Sequence, residues 1–358
     1  VKDASLKLTA YFAERERAGT RFLAEEMLDL FAERRVATSV MLRGISGFGH
    51  RRIIRTDESL TLSEDPAVAV AAVDTPETIR SLTGEVTAMT TSGLITLERA
   101  RLLEGPVDGA LRPEDGDAVK LTIYIGRNRR IAGVPAYKAV CALLRRNGFA
   151  GAWVFLGVDG TAHGERRRAH FVSRNTDVPL MIIAVGTTAQ VARSMPALQS
   201  GLQRPLITVE RARLCKRDGI LLDRPASLPA SDEQGRRLWQ KVMVFTSEAD
   251  RRDGGPIHRA LVRRLWESRT ASGATVLRGV WGFQGNQEPH GDKVFQFGRR
   301  VPVMTVIVDT PQSIAASFDI VDELTAGHGL VTSEMVPALL AIDGDQRHGG
   351  TDLADYRY

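Results

Sequence analysis

Two hydrophobic rhythms alternate along the chain, and they recur in the same order three times. Leu6, Leu8, Ala10 and Phe12 occupy every second position, which predicts a half-buried strand. Leu23, Met27, Leu30 and Phe31 then fall at helical spacing, with counterparts at Tyr137, Cys141 and Leu144 and at Ile257, Leu261 and Leu265. Pro135 and Pro256 stand at helix starts, where a missing N–H costs nothing. A second strand follows, for example over 274–280, then a polar loop, then a strand that is almost wholly apolar over 68–73, 180–185 and 303–308. Ile79, Leu82, Val86 and Met89, matched by Ile314, Phe318, Val321 and Leu324, predict a second helix. Gly93 and Gly329 mark the turn into the last strand; the middle copy has Pro205 there, so its turn must differ. The predicted helices lie near 20–34, 75–91, 134–147, 187–200, 256–271 and 310–326.

The repetition extends to residue identity. Lys7-Leu8-Thr9-Ala10-Tyr11 recurs as Lys120-Leu121-Thr122-Ile123-Tyr124 and more loosely as Lys241-Val242-Met243-Val244-Phe245. Leu94-Ile95-Thr96-Leu97-Glu98-Arg99-Ala100-Arg101-Leu102 recurs over 206–214, and Leu330-Val331-Thr332-Ser333-Glu334 is the third version. Val73-Asp74-Thr75-Pro76 matches Val308-Asp309-Thr310-Pro311, whereas the middle copy reads Val185-Gly186-Thr187-Thr188. A fixed order at nearly constant offsets is the mark of a tandem repeat. The order β-α-β-β-α-β implies the α+β class: three ferredoxin-like sandwiches, each with four antiparallel strands and two helices on one face. The expected units are 1–104, 118–216 and 238–343, joined by linkers at 105–117 and 217–237 and followed by a flexible polar tail over 344–358. An open four-stranded sheet exposes a face and edges, so three units should close into one intramolecular pseudo-trimer. The chain would then be a monomer, with dimers of pseudo-trimers still allowed.

Composition adds little to this picture. Of 358 residues, 43% are hydrophobic and 25% charged, an ordinary globular balance. The net charge of +5 is compatible with anionic ligands or partners. Two cysteines, Cys141 and Cys215, are too few for a disulfide framework, and a reducing cytoplasm is the default location. Cys141 lies on the helical stripe and reads as an inert core residue. No apolar run reaches transmembrane length, so no membrane insertion is expected, and Val1-Lys2-Asp3-Ala4-Ser5 lacks the apolar stretch of a signal peptide.

The second strand carries the most distinctive residues. The first copy reads Leu42-Arg43-Gly44-Ile45-Ser46-Gly47-Phe48-Gly49 and continues to Leu62-Ser63-Glu64-Asp65-Pro66; the third reads Leu277-Arg278-Gly279-Val280-Trp281-Gly282-Phe283. With the Val-Asp-Thr strand ends and Gly-Leu-Val-Thr before the last strand of the third copy, this resembles the PII-like domain-of-unknown-function family 190. The middle copy departs from the pattern at Leu156-Gly157-Val158-Asp159-Gly160 and has no acid at Gly186. The resemblance implies a PII-like fold, normally a trimer of separate chains. It also suggests a membrane transport protein as partner, since some relatives are encoded beside fluoride exporters. In PII proteins the long loop and the turn before the last strand border an inter-subunit nucleotide site. Their Gly-Asp-Gly-Lys phosphate turn is replaced here by Thr90-Thr91-Ser92-Gly93 and Ala326-Gly327-His328-Gly329.

Candidate ligand groups gather around that second strand. The glycine pairs Gly44/Gly47, Gly157/Gly160 and Gly279/Gly282 read either as strand-end bulges or as a cradle of bare N–H groups for an anion. Arg43 and Arg278 precede two of them. The loops that follow are basic: His50, Arg51, Arg52 and Arg55; then His163, Arg166, Arg167, Arg168 and His170; then His290, Lys293, Arg299 and Arg300. Each charge alone reads as solvated surface, but recurrence in three loops favours phosphate or partner binding. Glu98, Glu210 and Glu334 recur at one strand position and read as structural hydrogen-bonding partners rather than bases. The sequence has no Walker A loop, dinucleotide fingerprint, nucleophile elbow or zinc spacing, so an enzyme is not expected and neither a cofactor nor a metal is assigned.

The function expected from these residues is regulation. A small anionic ligand, a nucleotide among the candidates, would bind in clefts between copies, and the loops would act on a protein partner. A small phosphate-handling enzyme on a ferredoxin-like fold is the alternative. A nucleic-acid binder ranks last, because no aromatic stacking set lies on a sheet face. The divergent middle copy predicts unequal clefts.

Overall fold

The computed structural model describes residues 5–56, 65–103, 118–167, 178–202, 205–252, 254–285, 287–291 and 301–356. The first repeat contains β1 (Ser5–Ala13), α1 (Leu23–Glu33), β2 (Thr38–Phe48), β3 (Ala67–Asp74), α2 (Pro76–Met89) and β4 (Ser92–Leu102). The second contains β5 (Ala118–Gly126), α3 (Ala136–Arg146), β6 (Gly151–Leu156), β7 (Asp159–Ala162), β8 (Pro179–Thr187), α4 (Thr188–Leu202) and β9 (Leu206–Arg217). The third contains β10 (Trp239–Ser247), α5 (Ile257–Ser268), β11 (Ala274–Arg278), β12 (Trp281–Gln284), β13 (Pro302–Asp309), α6 (Pro311–Leu324) and β14 (Leu330–Val336). A hairpin, β15 (Ala338–Asp343) and β16 (Gln346–Gly350), follows, so that a strand stands within 344–358, where a flexible tail was expected.

Each repeat has the same antiparallel sheet. β1 lies between β3 and β4, and β2 pairs with the outer side of β3. β5 likewise lies between β8 and β9 with β6 on β8, and β10 lies between β13 and β14 with β11 on β13. Side chains alternate faces along a strand. Leu6, Leu8, Ala10 and Phe12 therefore meet Met27, Phe31, Ile79 and Val86 of α1 and α2 in one core. The second and third repeats have equivalent helix-side cores, with Cys141 and Cys215 buried in them. Burial pushes both thiols up to about 12, so they stay protonated and inert.

The opposite sheet faces meet one another. Leu42 and Val73, Phe155 and Met181, and Met243 and Met304 belong to one shared core drawn from all three repeats. This double burial explains why β3, β8 and β13 read as continuous apolar runs rather than alternating ones.

The aspartates of the Val-Asp-Thr turns tie strand to helix. Asp74 accepts hydrogen bonds from the N–H groups of Ala37 (2.8 Å) and Thr75 (2.6 Å), and Asp309 from those of Ser272 and Thr310 (2.7 Å each). Thr75 and Thr310 then cap α2 and α6 ahead of Pro76 and Pro311. Gly186 has no carboxylate to offer, and Gln190 fills in: its Oε1 accepts from Thr187 N–H at 2.8 Å and its Nε2 donates to Gly148 O at 2.7 Å.

Backbone pairing joins every repeat to both others, in two sets. In one, β2 pairs with β11, β12 with β6, and β7 with the start of β2. In the other, β4 ends against β9, β9 ends against β14, and β15 runs along β4. Each repeat thus extends its last strand onto the last strand of the next, and β15 returns from the third to the first. Edges that would be open in one repeat alone are covered by another.

Candidate functional site

A closed ring of charge sits where the three sheets meet. Lys7 Nζ lies 3.2 Å from Glu98 and 2.6 Å from Glu210, and Lys120 Nζ lies 2.7 Å from Glu210 and 2.5 Å from Glu334. Lys241 lies 2.8 Å from Glu334 and closes the ring on Glu98. Each lysine stands opposite its own repeat's glutamate in the strand register and reaches the next repeat's glutamate as well. All six are buried. Burial opposes charge on Lys7 and Lys241, but the flanking carboxylates outweigh it and hold both above the ordinary lysine range. Burial likewise opposes charge on Glu98 and Glu334, and the lysines hold both below the usual carboxylate range. Burial pulls Lys120 the other way. With carboxylates at 2.7 and 2.5 Å we read it as charged, because a neutral amine would strand Glu210 and Glu334. The three carboxylates offer oxygens within 4.8 Å of one another, but three ammonium groups already balance them, so the set does not call for a metal.

The open cleft lies between the first and third repeats. It has a volume of about 370 Å³, within the range of small-molecule sites. Its mouth carries His50, Arg51 and Arg55 of the first repeat, and its far wall is Ser272–Thr275 with Asp309 and Ser313 of the third. Phe48, Trp239 and Val306 line the apolar part, and the β15–β16 hairpin closes one side through Asp343 and His348.

The other two junctions are built differently. At the position of Thr275 the second repeat has Trp153, which faces Gly282 across the β6–β12 pair as Thr275 faces Gly47. Trp153 is buried and stacks on Phe245 with ring centroids 4.0 Å apart, so a ring occupies the position that Thr275 leaves open. On either side of it lie two separate hollows, one of about 440 Å³ around Gln190 and Arg213 and one of about 360 Å³ around Asp218, Asp250 and His328. Between the second and first repeats, the β7 hairpin packs into the junction: Thr161 Oγ1 donates to Val36 O at 3.2 Å and His163 N–H to Ala37 O at 2.8 Å.

The candidate residues separate by environment. Gly47, Gly160 and Gly282 stand where a neighbouring repeat's backbone passes: a Cβ on Gly47 would lie 2.5 Å from Ala274 O and one on Gly282 2.6 Å from Ala152 O, and Gly160 is tighter still against Ser39 O. Gly44 and Gly279 make similar approaches to Val276 O and Val154 O, whereas Gly157 faces Pro179 O of its own repeat. The N–H groups of Gly157, Gly160 and Gly279 are engaged by Pro179 O, Asp159 Oδ1 and Pro302 O. Arg43 pairs with Glu14, Arg278 with Glu248 at 2.7 Å, and Arg167 with Glu165 at 2.7 Å. Arg166 binds Asp159 at 2.7 Å and also Asp29. Arg52 donates to Trp266 O and its carbonyl accepts from Trp266 Nε1 at 2.6 Å, so it locks the loop onto α5. Gly47, His50, Arg51 and Arg55 are brought together at the open cleft. His163 lies exposed at the β7 hairpin turn. Arg168, His170, Lys293, Arg299 and Arg300, with the side chain of His290, lie outside the described residues.

Sequence reasoning missed the lysines of the ring, the Thr275 opening and the hairpin wall. The ring had a signal: Lys7, Lys120 and Lys241 recur inside otherwise apolar strands, opposite the recurring glutamates.

Comparison with known proteins agrees with the threefold organisation. The model of domain-of-unknown-function family 190, described as an uncharacterised ACR, matches residues 5–102, 118–214 and 239–338. A UPF0166 protein of Aquifex aeolicus (strain VF5) is 33% identical over 99 residues, which is 27% of this chain and 90% of that protein. Two solved structures show weak likeness. An aspartate kinase from Synechocystis is 12% identical with a TM-score of 0.24, over 95% of this chain and 45% of its own. An unknown protein from Galdieria sulphuraria is 12% identical with a TM-score of 0.19, over 58% of this chain and 98% of its own. No helix among the described residues is long and apolar enough to cross a membrane.

Proposed function

The chain belongs to domain-of-unknown-function family 190, in three tandem copies, and on that premise we propose that it is a PII-like regulator rather than an enzyme. Its three ferredoxin-like repeats form an intramolecular pseudo-trimer. A small anionic ligand, with nucleotides the first candidates, binds in the cleft between the first and third repeats, and the loops carry the signal to a protein partner. The observation that carries this reading is the cleft itself: Arg51 and Arg55 line a hollow, part apolar and part polar, whose two walls come from different repeats. Arginine suits bidentate phosphate contact, and Phe48 and Trp239 offer surface to a flat ligand body. Because the walls belong to different repeats, occupancy bears on how the repeats sit together, which is what a regulator needs.

A thermal-shift screen with adenine nucleotides and other anionic metabolites tests the reading. A saturable rise in Tm with at least one anionic ligand, absent in Arg51→Gln/Arg55→Gln, is the expected result. A protein whose Tm responds to none of them does not fit the proposal.

A further inference from the structure

We propose that Asp343 is a built-in competitor for the anion position of the cleft, so that a bound ligand displaces it and frees the tip of the C-terminal hairpin. This rests on the cleft being an anion site. Arg51 Nε donates to Asp343 Oδ1 at 2.9 Å, and Nη2 lies 2.8 Å from the same oxygen. Both N–H groups of the guanidinium fork converge on one oxygen. A phosphate or carboxylate that presents two oxygens satisfies the fork better. The partners are also accessible, with side chains 55% and 43% exposed, and an exposed pair of this kind is weak and readily exchanged.

The hairpin is placed to report the exchange. β15 runs along β4 with Asp343 opposite Ser92 and Ile342 opposite Gly93, and Gly344 N–H donates to Thr91 O at 2.9 Å. Thr91, Ser92 and Gly93 lie where the turn enters β4, the last strand of the first repeat. β16 is exposed throughout its length and, among the described residues, pairs only with β15. His348 is held by Arg237 at 3.0 Å and by an edge-on contact with Trp239, so release of Asp343 loosens the turn between Asp343 and His348, while the buried β15 stays in the sheet.

Calorimetric titration of the full chain with ATP and with inorganic pyrophosphate, on wild type, Asp343→Asn and Asp345→Asn, tests the proposal. Asp345 lies two residues on, exposed in the same turn, and controls for net charge. Removing the competitor is expected to tighten binding by a factor of about two to five, the scale of one exposed ion pair, and Asp345→Asn by clearly less. Amide exchange at 344–348 should rise when wild type is saturated. Equal affinities in wild type and Asp343→Asn, with binding intact, overturn the competition alone. No binding of either probe to any of the three proteins overturns the anion-site reading and the competition with it.

Discussion

Lys7 stands directly opposite Glu98 in its own sheet and reaches across a repeat boundary to place its ammonium 2.6 Å from Glu210. The same relation, repeated by Lys120 and Lys241, makes six buried charges into one neutral ring in which every lysine answers two repeats. Removing one member leaves a buried charge without compensation. Lys120→Met is expected to destabilise the chain by about 3–5 kcal/mol, as measured by urea denaturation. Lys120→Met/Glu210→Leu removes one charge of each sign and should recover a substantial part of that loss. A single variant as stable as wild type would mean that the ring does not hold the repeats together.

The loop arginines should divide into two classes that the sequence does not distinguish. Arg52 is tied to Trp266 through its carbonyl and its guanidinium, which lies 5.5 Å from the indole centroid. Arg52→Gln is therefore expected to lower Tm by several degrees, through the loss of about 1–2 kcal/mol. Arg51→Gln and Arg55→Gln, at the mouth of the cleft, should leave Tm within about a degree, because exposed charges contribute little to stability. Differential scanning calorimetry of the three variants checks the division, and a uniform response of all three contradicts it.

His258 should set part of the pH dependence of stability. It lies in the first turn of α5, 3% exposed, and its Nδ1 has no hydrogen-bond partner among the described residues. Burial, with Arg259 and Arg278 nearby, pushes its pKa down to about 4. A base whose folded pKa is depressed keeps its full contribution above the unfolded value near 6.5 and loses it as pH falls toward 4. Wild type should therefore lose on the order of 2–3 kcal/mol more than His258→Leu between pH 7 and 4. Parallel urea curves for the two proteins across this interval would show that His258 does not titrate on unfolding.

Much of the architecture was legible in the sequence because it follows from local periodicity. The helices over 76–89 and 311–324 fall within the spans that Ile79, Val86, Ile314 and Val321 predict, and Pro135 and Pro256 stand immediately before α3 and α5. What pattern alone could not supply is which strand faces which across repeat boundaries. The Gly-x-x-Gly pairs read as strand-end bulges or an anion cradle; the β2–β11 register does shift at Ile45, between Gly44 and Ser46, and Gly47 and Gly282 lie where another repeat's carbonyl passes. The difference between an open junction and a filled one rests on a single position, Thr275 against Trp153, and becomes visible only once the β2–β11 and β12–β6 pairs are superposed in register. Residues 346–350 look like a polar tail because β16 exposes every residue, so no apolar alternation marks it as a strand.

One ligand cleft per chain, between the first and third repeats, is open to direct test by calorimetric titration with the best ligand from the nucleotide and metabolite screen. Thr275→Trp places on β11 the residue that fills the equivalent junction at Trp153. Wild type should bind close to one ligand per chain, and Thr275→Trp should bind at least about tenfold more weakly, a loss of about 1.4 kcal/mol or more, while melting within a few degrees of wild type. Three equivalent sites per chain, or an affinity untouched by Thr275→Trp, would mean that the ligand does not sit in this cleft.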